Sequence, residues 1–233
     1  MSLESPLTRW WDAVRPLPST ETLGKAARAR RRKQRTLIWG AVAAALVGAC
    51  GWLVYQYIAF APVRARVEFE RGMHLMAPGS YEDALAIFDR AIAIWPGFAE
   101  AYLNRGIAER ALGRADAALP DLDKAAELDP DLTRAYDERG RIYVEKGDNR
   151  RAIEEFTQSI RIRGTTDGYY QRGLAYEAMG EHRKAVADFD NAIAQQRDAP
   201  YAYRARALAR ANLGDAAGAR EDRQTAQRFE TPR

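Results

Sequence analysis

The most prominent feature of the hydrophobic pattern is a stretch with no polar rhythm. Between Arg35 and Arg64 there are 28 consecutive uncharged residues, and Leu37–Phe60 within them reads LIWGAVAAALVGACGWLVYQYIAF. As a helix those 24 residues extend roughly 36 Å, enough to cross a hydrocarbon core of about 30 Å with some tilt. Trp39 stands near one end, and Trp52, Tyr55, Tyr57 and Phe60 near the other, where aromatic rings favour the headgroup region. The competing reading is a buried helix of a soluble core, but such helices seldom run this long without a charge. The pattern predicts a transmembrane helix over 36–61, with a tail over 1–35 before it and a polar domain over 62–233 after it.

From residue 62 the pattern changes to apolar positions at helical spacing, and it repeats. Gly72, Gly106, Gly140 and Gly173 are 34, 34 and 33 residues apart, and Ala207 follows 34 residues later. Seven residues after each comes Gly79, Gly113, Gly147, Gly180 or Gly214. Five further on is alanine in every case: Ala84, Ala118, Ala152, Ala185 and Ala219. A large apolar residue follows one turn later at Phe88, Leu122, Phe156 and Phe189, where the last unit has Arg223. Each unit therefore predicts two amphipathic helices around a glycine turn. Small residues such as Gly106 and Ala118 let the helices approach closely, and the large residue on the same face as the alanine seals the pair. No unit buries its apolar face alone, so the units must stack.

These residues and their spacing resemble the tetratricopeptide repeat family, whose period is 34 residues. The resemblance runs over five units at about 65–98, 99–132, 133–165, 166–199 and 200–233. It implies an all-α fold, an α-solenoid of stacked helix-turn-helix units, here preceded by a single transmembrane helix. The polar second helix of the fifth unit suits a terminal cap. Pro120, inside a second helix, is tolerable near the first turn and would kink the helix deeper in. In this family the first helices line a concave groove that usually holds a peptide. Carried over, those positions are Phe69, Met73, Leu103, Asn104, Ile107, Arg134, Asp137, Glu138, Arg141, Tyr170, Gln171, Leu174, Tyr201 and Leu208. Leu103 and Ile107 could equally pack between neighbouring units. The family's carboxylate clamp for acidic chaperone tails is not expected: Asn104 matches it, but Glu138 stands where a cation is needed.

Charge changes the picture only once it is divided. The net charge is +4 with a pI near 9.2, which suggests nucleic acid or an anionic membrane as partner. Residues up to Ala61 hold nine basic and three acidic side chains, a net +6, and the remainder holds 27 and 29, a net −2. Six of the eight residues Arg28–Arg35 are basic. By the positive-inside rule the N-terminus stays in the cytoplasm and the repeat domain is exported. The cluster is thus explained by topology, and no nucleic-acid partner is expected. Ala59-Phe60-Ala61 resembles a processing site, but the long apolar run, the long basic tail and Pro62 favour an uncleaved anchor. Trp10 and Trp11 in the tail are placed at the inner membrane surface. Gly40, Ala44 and Gly48 form a small-residue row on one helical face, either a contact for a second copy or another membrane subunit or a mere reflection of common alanine and glycine. The 31 arginines against five lysines read as the coding bias of a GC-rich bacterial genome.

Arginine precedes the repeat glycine, or its substitute, in every unit: Arg71, Arg105, Arg139, Arg172 and Arg206. Either the five form a basic ladder for an acidic ligand, or they pair with acids in phase such as Asp121, Glu155, Asp188 and Asp222; the near-neutral domain favours pairing. Cys50 is the one cysteine, and His74 and His182 are the two histidines. With no nucleophile elbow, phosphate loop, nucleotide fingerprint or metal spacing, no catalytic residue, metal or cofactor is expected. The expected protein is a scaffold in a bacterial inner membrane, with its repeats in the periplasm holding a protein or peptide, in envelope assembly, secretion or chaperoning, and with residues 37–60 in the bilayer. Two alternatives stand beside it: an organelle receptor for targeting peptides facing the cytosol, and an enzyme with an unrecognised site.

Overall fold

A computed structural model describes residues 20–230, which form eleven helices and, among the described residues, no strand. The chain divides into two compact units between Ala59 and Phe60. The first holds one continuous helix, α1 (Thr20–Ala59). Helix therefore begins well before the apolar run, and the arginine cluster lies on it. Within α1, Arg32–Ala59 is long and apolar enough to cross a membrane, and none of that window is buried. Length and composition of this kind also suit a signal sequence near an N-terminus. Gly40, Ala44 and Gly48 are exposed on α1, and a Cβ at Gly40 or Gly48 would meet nothing within 4 Å. Trp10 and Trp11 lie outside the described residues.

The second unit is five helix pairs: α2 (Ala61–His74) with α3 (Tyr81–Ile94), α4 (Ala99–Ala111) with α5 (Ala115–Leu128), α6 (Thr133–Glu145) with α7 (Asn149–Ile162), α8 (Thr166–Ala178) with α9 (His182–Gln195), and α10 (Pro200–Asn212) with α11 (Ala216–Glu230). Each helix packs on the next, and the first helices of units two to five also touch one another, α4 on α6, α6 on α8 and α8 on α10. Pro62 lies in the first turn of α2, where its missing N–H costs nothing. Pro120 is the sixth residue of α5 and is exposed, and the helix runs through it to Leu128.

The turn glycines all adopt left-handed backbone, φ from +74° to +90°, a region that costs other residues strain. After α4 the Gly113 N–H donates to the Arg110 carbonyl at 2.9 Å and the Arg114 N–H to the Glu109 carbonyl at 2.9 Å, the double bond that closes a helix end. The same pair of bonds recurs after α6, α8 and α10.

The glycines inside the first helices do different work. A Cβ at Gly72, Gly140 or Gly173 would stand 2.6 Å from the ring of Phe88, Phe156 or Phe189, and at Gly106 it would stand 3.0 Å from Leu122. The absent side chain is the room the large residue fills. The fifth unit shows the converse: Arg223 replaces the ring and is exposed, and a buried alanine, Ala207, takes the glycine position.

The recurring arginines are tied into these pairs. Arg105 donates through Nε and Nη2 to Asp121 at 2.7 and 2.6 Å and through Nη1 to Asp89 at 2.5 Å. Arg206 repeats this with Asp222 at 2.9 and 2.6 Å and with Asp190 at 2.5 Å. Arg139 joins Glu155 and Asp123, and Arg172 joins Asp188 and the Thr157 hydroxyl. Each guanidinium thus grips the second helix of its own unit and that of the unit before. Tyr102, Tyr136, Tyr169 and Tyr203, three residues earlier on the same helix face, each lie under one of these guanidiniums at 5.0–5.8 Å, a cation–π arrangement. Arg71 differs. Sixteen residues on stands Ile87 rather than an acid, and Arg71 reaches only Glu68 on its own helix. These arginines read as structural pairs rather than as a free basic ladder.

Candidate functional site

The candidate positions lie on α2, α4, α6, α8 and α10, the first helices of the five units. Two rows can be distinguished. The inner row is Phe69, Leu103, Asp137 and Tyr170 in the first four units, with Arg204 in the fifth. Phe69 is buried between the rings of Phe88 and Phe98, at 5.8 and 5.0 Å. Leu103 is buried with Leu122, Ala135 and Ile142. Tyr170 is half-buried and meets Tyr201 edge-on at 4.8 Å. One turn further along each helix is the outer row, Met73, Ile107, Arg141, Leu174 and Leu208. Met73, Leu174 and Leu208 are 37%, 37% and 55% exposed, so three apolar side chains of this row are open to solvent.

The centre of the face is ionic. Arg110 on α4 donates to Glu138 at 2.9 Å and to Glu145 at 2.8 Å, both on α6. Arg141 donates to the other oxygen of Glu138 at 2.8 Å and to Asp167 on α8 at 2.5 Å. The run Glu145–Arg110–Glu138–Arg141–Asp167 alternates in sign and stitches three units together. Glu138 is its hub, with a side chain only 6% exposed and both oxygens occupied. Burial works against the Arg141 charge, but Glu138, Asp167 and Asp137 outweigh it and hold the guanidinium above its ordinary value.

Asp137 lies beside this run. Its Oδ1 is buried beside the buried Oγ of Ser159. Burial pushes the Asp137 carboxyl above the usual range; nearby Ser159 opposes the rise, Asp167 and Glu138 add to it, and Arg141 counters it. A buried acid held this way is disfavoured in its charged form.

Family models described as tetratricopeptide repeat match residues 69–133, 133–166 and 166–198, together more than half of the chain. The chain belongs to the tetratricopeptide repeat family. No curated protein matches it in sequence. Among solved structures, a crystal structure of MamA is similar to it with TM-score 0.63 at 25% identity, covering 68% of this chain and 94% of MamA. MamA from Desulfovibrio magneticus RS-1 is similar at 19% identity and TM-score 0.65, over 71% and 94% of the two chains. YrrB, described as a TPR protein with an unusual peptide-binding site, is similar at 19% identity and TM-score 0.57, over 75% and 84%.

Within this tetratricopeptide repeat domain the positions expected from the resemblance have unequal access. Asn104 is buried and donates to the Glu100 carbonyl at 2.7 Å, a bond within its own helix. Ile107 and Gln171 are half-buried, and Arg134 is exposed near the start of α6. The structure brings Asp137, Glu138 and Arg141 into one cluster and Tyr170 with Tyr201 into another. Arg110, Glu145 and Asp167 join the first cluster and were absent from the sequence expectation. Their separations of 28, 35 and 26 residues are one repeat period give or take several residues, the signature of charges on adjacent first helices.

Proposed function

We propose that this chain is a membrane-anchored tetratricopeptide scaffold whose first-helix face is a groove for a segment of a protein partner. The observation that carries the groove is the exposed outer row of Met73, Leu174 and Leu208 next to a preorganised ionic centre. Large apolar side chains held open beside ordered charges are what an anchored peptide uses. YrrB, of similar fold, is described as having a peptide-binding site. Replacing Leu174 and Leu208 together with aspartate is expected to abolish partner cross-linking in native membranes while the circular dichroism spectrum keeps its helical form. Undiminished cross-linking would move the site off this face.

The same proposal places α1 in a bacterial inner membrane through residues 37–60, with the N-terminus in the cytoplasm and the repeats in the periplasm. Its support is the charge-free length of the run and the arginine cluster on one flank only. Gly40, Ala44 and Gly48 offer that helix a close-packing row for a second copy or another membrane subunit. A reporter enzyme that works only after export, fused at Arg233, should be active in cells. An inactive fusion that is stably made would reverse the topology.

A further inference from the structure

We infer that the segment held by this face carries a cationic side chain about three residues from an apolar one, an inference that rests on the groove reading above. The charge on the face does not close on itself. Three carboxylates of the run, Glu138, Glu145 and Asp167, share two guanidiniums, Arg110 and Arg141. The run ends in a carboxylate on both sides, and these two, Glu145 and Asp167, have side chains 50% exposed. Each meets a single arginine; Asp167 also accepts from the Gln171 amide at 3.3 Å. Beside the run, Asp137 is only 9% exposed, with the Ser159 hydroxyl as its polar neighbour. A run with one carboxylate more than it has guanidiniums, and with a half-exposed carboxylate at each end, attracts a cation from outside.

The spacing comes from α8. Asp167, Tyr170 and Leu174 are at i, i+3 and i+7 and share one face of the helix. Seven residues of helix advance about 10 Å, close to one turn of polyproline II, three residues at about 3.1 Å each, whose first and fourth side chains fall on one side. A guanidinium or ammonium at Asp167 therefore sets an apolar side chain, about three positions away, on Leu174, one turn beyond Tyr170. An acidic segment would add to the negative excess and is rejected.

The test uses the full chain in detergent micelles and fluorescence anisotropy with short labelled peptides. They share one leucine and differ only in an arginine, glutamine or glutamate placed three residues before it. At about 50 mM salt the arginine peptide should bind about tenfold more tightly than the glutamine peptide, an advantage that collapses at about 0.5 M, where the screening length is a few ångströms. In the double variant Glu145→Gln, Asp167→Asn the ratio of arginine to glutamine affinity should fall to about one, with the helical spectrum unchanged. Equal affinities for the three peptides in the unaltered chain, or a preference for glutamate, would overturn the cationic partner and leave the groove standing. Failure of all three to bind would remove the groove and this inference together.

Discussion

Gly140→Leu is expected to unfold the third unit and split the array. A Cβ at Gly140 would stand 2.6, 2.7 and 2.9 Å from three atoms of the Phe156 ring, distances at which something must move. Phe156 is fully buried, and α6 and α7 are pressed together along this line, so the ring has nowhere to go. Overpacking a full core costs about 1–3 kcal/mol per site and more when backbone must shift. Leucine adds four heavy atoms at a point with no room for one, so a loss of about 3 kcal/mol or more is expected in urea titration. In a linear array each repeat leans on its neighbours, so losing the middle one exposes the facing surfaces of the second and fourth units. The double variant Gly140→Ala, Phe156→Leu serves as control. It approaches the pairing of Gly106 with Leu122, where the gap is 3.0 Å, and should recover most of the loss. A leucine variant that melts like the parent would refute this account of the helix contact.

Arg172→Met should be nearly as damaging for a different reason. Arg172 binds both oxygens of Asp188, at 2.8 and 2.7 Å, and the Asp188 side chain is 5% exposed. Removing the guanidinium leaves a carboxylate buried without its counter-ion, a change that costs about 3–5 kcal/mol when the pair is well buried. Replacing Asp188 with leucine in the same protein should restore most of that stability, because an apolar pair of similar volume can match a buried ion pair. The comparison that decides is Arg71→Met. Arg71 is the same residue of the motif, but its side chain is 63% exposed and it pairs only along its own helix, so a loss below about 1 kcal/mol is expected. Equal losses at Arg71 and Arg172 would mean the arginine acts through helix propensity and not through the clamp between units.

The spacing of Gly106, Gly113, Ala118 and Leu122 reports a helix, a turn and a second helix, because each residue type answers a local steric demand: a close approach, a left-handed turn, a packed face. The pairing of Arg105, Arg172 and Arg206 with Asp121, Asp188 and Asp222 was readable too, since both partners lie inside one unit at a constant spacing. The second acid on Arg105 and Arg206, Asp89 or Asp190, was not, because it belongs to the preceding unit. The groove was read more coarsely still. Phe69 and Leu103 stand at groove positions by register, and their burial comes from Phe88 and Leu122 on other helices and from Phe98 just before α4.

The sequence by itself determined the helical units, their turns, the apolar stretch Leu37–Phe60 and the division of charge around it. All of these follow from interactions among residues near one another in the chain, or from its composition. Only the tertiary structure decided which first-helix residues remain open and how their charges pair. Leu174 and Leu208 are exposed while Leu103 is buried, and Arg110 finds Glu138 and Glu145 across a unit boundary. The reason is geometric. A repeat specifies its own two helices, but the side chains that meet between repeats depend on how neighbouring helices are set against each other, and that setting is a sum over packing contacts that no local pattern records.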